Sequence, residues 1–296
     1  MSIEITSDFN FKSHWADVLG SKLHYIEAGE GDPILFIHGI PTWSYMWRNV
    51  IPPLQKHGRC IAVDLIGMGK SDKPDIEYTV FDHIKYLTAF IEALNLKNVT
   101  LVMHAWGSVI GFHYAMQHPN NIKGLVFLEG HVRPPLKKEM VSLLVQERHA
   151  MLNAEDGGRA AVIDRNEYIE KIFPHGIIRR LTKEEMDHYR EPFAKAKDRQ
   201  PIWQFLQELP LGDKKTPITE LIDDYSKKLQ TSQLPKLMIY AIPGYNNTIE
   251  TVMWAREHLP NLTVIEVEDA LHYAPESKPV EVVEAIESWL ESENSN

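Results

Sequence analysis

The chain has 296 residues with 31 Lys+Arg against 41 Asp+Glu, a formal charge of −10, and 44% hydrophobic residues. That acidity excludes a non-specific binder of nucleic-acid phosphates, and a single cysteine, Cys60, excludes an intramolecular disulfide or a cysteine-ligated metal cluster. The length permits a large core without staples, and no apolar run approaches the ~20 residues of a membrane span. Met1-Ser2-Ile3-Glu4-Ile5 shows no basic segment followed by an apolar one, so no secretory signal is read there. With one cysteine, which fits a reducing compartment, the expected location is cytoplasmic.

Residues 12–18 and 22–27 alternate apolar and polar positions and predict antiparallel edge strands. Short apolar runs follow at 33–37, closing on His38-Gly39, at 60–63, closing on Asp64, and at 99–103, closing on His104. Others lie at 124–128, 236–240 and 263–267. Continuous apolar runs of this length predict strands buried on both faces of a parallel sheet. Helical patterns at 82–94, 109–117, 250–258 and 280–290 supply its crossovers. After Pro134-Pro135 the rhythm changes, and from 136 to about 213 the pattern is helical and charged. The fold class is therefore an open α/β sheet with an antiparallel edge and an inserted helical cap. The expected division is core 1–133, cap 134–213 over the carboxyl edge of the sheet, and core 214–296. The polar tail, 291–296, is expected to fray.

Three places carry chemistry. The strand at 99–103 runs into His104-Ala105-Trp106-Gly107-Ser108 and a helix, the strand–turn–helix of an α/β-hydrolase nucleophile elbow. Backbone N–H groups there can hold an anion. Its apex is Ala105, which has no nucleophile and suits a positive φ poorly. His272, in Asp269-Ala270-Leu271-His272-Tyr273 after the last strand, stands where this fold carries its catalytic histidine, one of 14 histidines in the chain. The loop Ala241-Ile242-Pro243-Gly244 offers no acid, whereas Phe127-Leu128-Glu129-Gly130 places Glu129 at a strand end beside the elbow, able to orient an imidazole. The chain order Ala105, Glu129, His272 is nucleophile, acid, histidine. The turn His38-Gly39-Ile40-Pro41-Thr42 can add a second N–H donor. Gly67-Met68-Gly69-Lys70-Ser71 lacks the first glycine of a phosphate loop.

Together, His38-Gly39-x-Pro41-Thr42-x-Ser44-Tyr45-x-Trp47-Arg48-Asn49, Asp64-x-Ile66-Gly67-Met68-Gly69-x-Ser71-Asp72-Lys73-Pro74 and His104-x-Trp106-Gly107-Ser108 closely resemble haloalkane dehalogenases. Asp82-His83-Ile84-Lys85-Tyr86-Leu87-Thr88-Ala89-Phe90 is also similar to Renilla-type luciferase, a relative of that family. The resemblance spans residues 15–289 and is looser in the cap, at Glu191-Pro192-Phe193 and Arg199-Gln200-Pro201. It implies an elbow aspartate that displaces halide from carbon to give an ester. A histidine-activated water then cleaves that ester, an acid holds the histidine, and the tryptophan after the nucleophile binds the halide. Carried over, Ala105 is the vacated nucleophile position, His272 the base, Glu129 its partner and Trp106 the halide donor. The implied partners are a small halogenated hydrocarbon, halide and water, with no cofactor or metal, no nucleic acid or membrane, and a monomer or homodimer.

Two departures matter. Ala105 stands where the family has aspartate, which implies a chain without covalent catalysis and reads as an Asp→Ala knockout. Ile40 stands where members often carry an asparagine halide donor, and Trp203 in the cap is the candidate replacement. Two other readings compete: a non-catalytic binder of small apolar ligands, and a cofactor-independent, luciferase-like oxygenase.

Overall fold

The computed structural model describes residues 4–152 and 158–294. Eight strands form one sheet in the order β1-β2-β4-β3-β5-β6-β7-β8. They are β1 (Ser13–Val18), β2 (Ser21–Ala28), β3 (Pro33–Ile37), β4 (Arg59–Val63), β5 (Val99–His104), β6 (Ile122–Leu128), β7 (Lys236–Ile242) and β8 (Leu262–Glu268). β1 pairs antiparallel with β2, and β2 with β4. Every pair from β4 through β3 to β8 is parallel. Every residue of β3 and β5 is buried, as continuous apolar strands at the centre of a covered sheet must be.

The helices are α1 (Ile51–Leu54), α2 (Val80–Ala93), α3 (Trp106–Gln117), α4 (Leu143–Leu152), α5 (Gly158–Ile163), α6 (Lys183–Arg190), α7 (Gln200–Gln207), α8 (Pro217–Leu229), α9 (Ile249–His258), α10 (Ala274–Ser277) and α11 (Pro279–Asn294). α2 shows why such a segment is helical. Thr79 and Asp82 exchange side-chain-to-backbone bonds in a capping box, and Val80, His83, Leu87, Phe90 and Ile91 bury one face at i, i+3, i+4 spacing. Between β6 and β7 the described residues form helices and turns but no strand. None of the described helices is long and apolar enough to cross a membrane.

Two expectations need correction. The run at 263–267 is not buried on both faces: in β8 only Val267 is buried, because β8 is a terminal strand paired with β7 alone. The polar tail does not fray from 291, since α11 continues to Asn294. Residues 295 and 296 lie outside the described residues.

Candidate active site

The carboxyl ends of β5, β6 and β8 converge here, and each is followed by a non-glycine residue at positive φ: Ala105 at 48°, Glu129 at 51° and Asp269 at 51°. Such backbone costs on the order of 1–3 kcal/mol per residue and survives where surrounding structure enforces it. At the elbow the enforcement is visible. Ala105 N–H donates to Leu128 O at 3.1 Å, Ser108 N–H returns to Ala105 O at 2.9 Å, and Ser108 Oγ donates to the same oxygen at 2.6 Å. A Cβ on Gly107 would lie 2.4 Å from Ile37 O, so only glycine lets α3 seat against the end of β3. A Cβ on Gly39 would lie 3.0 Å from Ala105 Cβ, which places the 38–42 turn directly against the elbow. Neither the Ile40 nor the Trp106 N–H has an acceptor among the described residues. The apex itself ends in a methyl group.

Glu129 and His272 meet across 143 residues of sequence: His272 Nδ1 is 2.9 Å from Glu129 Oε2. The carboxylate is buried and also accepts from the backbone N–H groups of Tyr245 (2.9 Å), Asn246 (2.6 Å) and Asn247 (3.3 Å). Asn247 Nδ2 closes the loop by donating to Gly130 O at 2.8 Å. Burial pushes the Glu129 carboxyl up to about 7, against the pull of those backbone donors. When ionised, Glu129 only accepts, and the proton of His272 then sits on Nδ1.

Two further histidines frame the pair. His104, fully buried, lies 2.7 Å through Nε2 from His272 O, and burial and the neighbouring His272 lower it to about 3, so it is neutral and donates. His38 Nδ1 lies 2.7 Å from Gly39 O while its Nε2 accepts the Leu65 N–H at 3.0 Å, and burial lowers it too. Tyr273 then ties the His272 loop to the turn, its hydroxyl donating to Ile40 O at 2.8 Å. The imidazole of His272 is thus held from its ring, from its own carbonyl and from the next residue.

Trp106 is 3% exposed and its indole N–H has no acceptor among the described residues. Its ring meets His131 at 5.4 Å and Phe205 of α7 at 5.1 Å. Phe205 stacks in turn on the buried His83 of α2, at 4.4 Å and 17°. Trp203, also on α7, is partly buried against the core, and the ring that α7 presents to Trp106 is that of Phe205. The side chain of Ile40 is buried and apolar, leaving its N–H and carbonyl as its polar groups. The structure therefore brings together Ala105, Glu129, His272, Trp106 and the backbone of Ile40.

Sequence reasoning passed over the 245–247 backbone donors, His104 and Phe205. His104 was visible as the last residue before the apex. The donors could not be read, because backbone N–H groups leave no residue signature. The Gly67–Gly69 segment is not a phosphate cradle: Lys70 N–H donates to Asp64 Oδ2 at 2.8 Å, and a Cβ on Gly69 would lie 2.2 Å from that oxygen. Away from this site, His57, Glu287 and Glu291 present ligand atoms within 4.8 Å of one another, the one such group among the described residues, and Lys56 already pairs with Glu287.

The α/β-hydrolase fold family matches residues 32–166. A haloalkane dehalogenase of Sphingobium indicum is 38% identical over 281 residues, covering 93% of each chain. One of Mesorhizobium japonicum is 36% identical over 276 residues, 92% of this chain and 89% of the relative. Among solved structures, a haloalkane dehalogenase from Bradyrhizobium elkani superposes with a TM-score of 0.92 at 33% identity, covering 97% of this chain and 99% of that one.

Proposed function

The chain belongs to the haloalkane dehalogenase family, and from that premise we propose that its site is built for hydrolytic cleavage of carbon–halogen bonds but lacks the carboxylate that begins the reaction. The observation that carries this is a hydrogen-bonded Glu129–His272 dyad, 2.9 Å apart and buried, beside an elbow whose apex is only a methyl group. An apex carboxylate would attack the carbon of a small haloalkane, form a C–O bond and expel halide. Trp106 Nε1–H would hold the leaving halide, helped by the N–H groups of Ile40 and Trp106. His272, its Nδ1 proton held by Glu129, would take a proton from water at Nε2, and the resulting hydroxide would cleave the ester to alcohol and regenerate the carboxylate. Residues 134–213 act as the cap that covers this edge of the sheet. Trp203 on α7 remains the candidate second side-chain donor to halide.

With Ala105 in place the first bond cannot form, so this chain binds substrate and halide without turnover. The same methyl group favours one alternative, a protein that uses the intact pocket only to hold small apolar ligands. The assignment of roles is tested in a double variant, Ala105→Asp with His272→Phe. Alkylation needs a carboxylate and a halide donor, whereas ester cleavage needs the base. Incubated with 1-bromobutane, the double variant accumulates protein one butyl group heavier by intact mass spectrometry, and the single Ala105→Asp variant does not. An unchanged mass in the double variant would refute these roles.

A further inference from the structure

A second constellation lies at the antiparallel edge of the sheet, on β1, β2 and the end of β4, two to four strands removed from β5. Ser13 opens β1, His24 lies in β2 and Asp64 follows β4, so three elements contribute one residue each. His24 Nδ1 is 2.8 Å from Asp64 Oδ2, and His24 Nε2 is 2.9 Å from Ser13 Oγ. Asp64 is fully buried and fixed by the N–H groups of Ser44 and Lys70, each at 2.8 Å. Burial alone would raise this carboxyl, but the His24 hydrogen bond, the nearby His24 and His38 rings and the Lys70 N–H hold it below its ordinary value. A carboxylate can only accept, so the His24 proton sits on Nδ1 and Nε2 accepts from the serine hydroxyl.

The surroundings add two more parts. Trp15 is paired directly with His24 across the ladder, its ring 5.3 Å from the imidazole and 63° to it, while the residue remains 53% exposed. Ser13 is two positions from Trp15 and so lies on the same face of β1, and it is only partly buried. The hydroxyl therefore borders an exposed aromatic platform. β1 is also a terminal strand, and the outer N–H groups of such a strand have no ladder partner and can receive an oxyanion.

We propose that Ser13, His24 and Asp64 form a second, independent acyl-transfer site for small aryl esters that lie against Trp15. Ser13 Oγ bonds to the ester carbonyl carbon as its proton passes to His24 Nε2. The carbon–aryloxide bond then breaks, and the departing phenol takes the proton from His24. Water repeats the sequence on the acyl-serine, its proton going to His24 and the carboxylic acid leaving from Ser13. Nothing in this site uses Ala105, so its test stands apart from the dehalogenase proposal.

The unaltered full chain is incubated with diisopropyl fluorophosphate, digested and mapped by tandem mass spectrometry, and release of p-nitrophenol from p-nitrophenyl acetate is followed in parallel. The expected result is one equivalent of adduct on Ser13, formed about tenfold or more faster than on any other serine. Ser13→Ala should lose that adduct and at least about nine-tenths of the ester turnover while its far-UV circular dichroism stays that of the folded chain. Trp15→Ala should raise KM more than it lowers kcat. Failure of Ser13 in the unaltered chain to label ahead of other serines would overturn the proposal, since that measurement needs no variant to fold. Equal turnover by Ser13→Ala would overturn it as well, and the three residues would then form only a structural hydrogen-bond chain.

Discussion

Replacing Arg48 by Met should cost this protein a large part of its stability, although Arg48 touches none of the reacting positions. Its side chain is fully buried and pairs with Glu276 through both carboxylate oxygens, one at 3.0 Å, and with Glu185 at 2.7 Å. Arg179 bridges the same two carboxylates at 2.6 Å, so two guanidiniums balance two buried acids. Tyr189 donates to Glu276 as a fifth member. Glu185 lies on α6, between β6 and β7. Glu276 lies on α10, four residues beyond His272, so the network joins the inserted helices to the loop that bears His272. Burial alone would raise Glu185, yet Arg179 and the other donors pull it down to about 2. Removing Arg48 leaves two buried carboxylates sharing one partly exposed cation. Breaking a buried pair from one side costs about 3–5 kcal/mol, and with m near 3 kcal/mol/M in urea that moves the midpoint down by roughly 1–1.7 M. Adding Glu276→Gln to Arg48→Met removes the stranded charge and should recover about half of that shift. Removing the exposed Lys183–Asp187 pair serves as the control, with no measurable change expected. An Arg48→Met midpoint indistinguishable from that control, by far-UV circular dichroism at constant salt, would refute the reasoning.

His83 is buried with both ring nitrogens unpaired among the described residues, and burial lowers it to about 3, so it is neutral when folded and protonates in the unfolded chain below 6.5. A depressed folded value gives stability that is present above 6.5 and lost as pH falls, about 2 kcal/mol by pH 5; unfolding free energies at pH 7 and pH 5 should show His83→Phe losing that much less, and an equal loss in both proteins would contradict it. Bromide should bind the Ala105 chain more tightly than the Ala105→Asp variant, because like charges ~4 Å apart repel by roughly 4 kcal/mol at an effective dielectric of 20. Titration at constant ionic strength with intrinsic fluorescence as the readout should give a saturable response that Trp106→Phe abolishes, and equal affinity in the two proteins would count against the halide site.

Much of this architecture was legible because the signals are local. The apolar run Pro33-Ile34-Leu35-Phe36-Ile37 coincides with β3, and the two alternating segments before it became the antiparallel β1 and β2. β8 misled because periodicity does not say which strand ends a sheet; Thr263 to Ile265 are apolar enough for a core strand but have a neighbour on one side only. In the site, Ala105, Glu129 and His272 could be placed by their positions after strands, since a chemical side chain at a strand's carboxyl end is a sequence feature. What holds them could not. Glu129 is anchored by backbone N–H groups of 245–247, and Arg48 finds Glu276 across 228 residues, a pairing that no spacing rule encodes. Trp203 drew notice as a donor because its indole is conspicuous in sequence, while Phe205, chemically silent, is the ring that meets Trp106.

The most direct test of the central claim is bromide release from 1-bromobutane by three proteins: the chain as it stands, Ala105→Asp, and Ala105→Asp with His272→Phe. Loss of a nucleophile typically costs on the order of 10⁶-fold. The expected result is sustained release by Ala105→Asp, at most one equivalent from the double variant, and none above the buffer rate from the chain with Ala105. Sustained release by the Ala105 chain, or none by Ala105→Asp, would contradict the claim that this is a dehalogenase site that lacks its nucleophile.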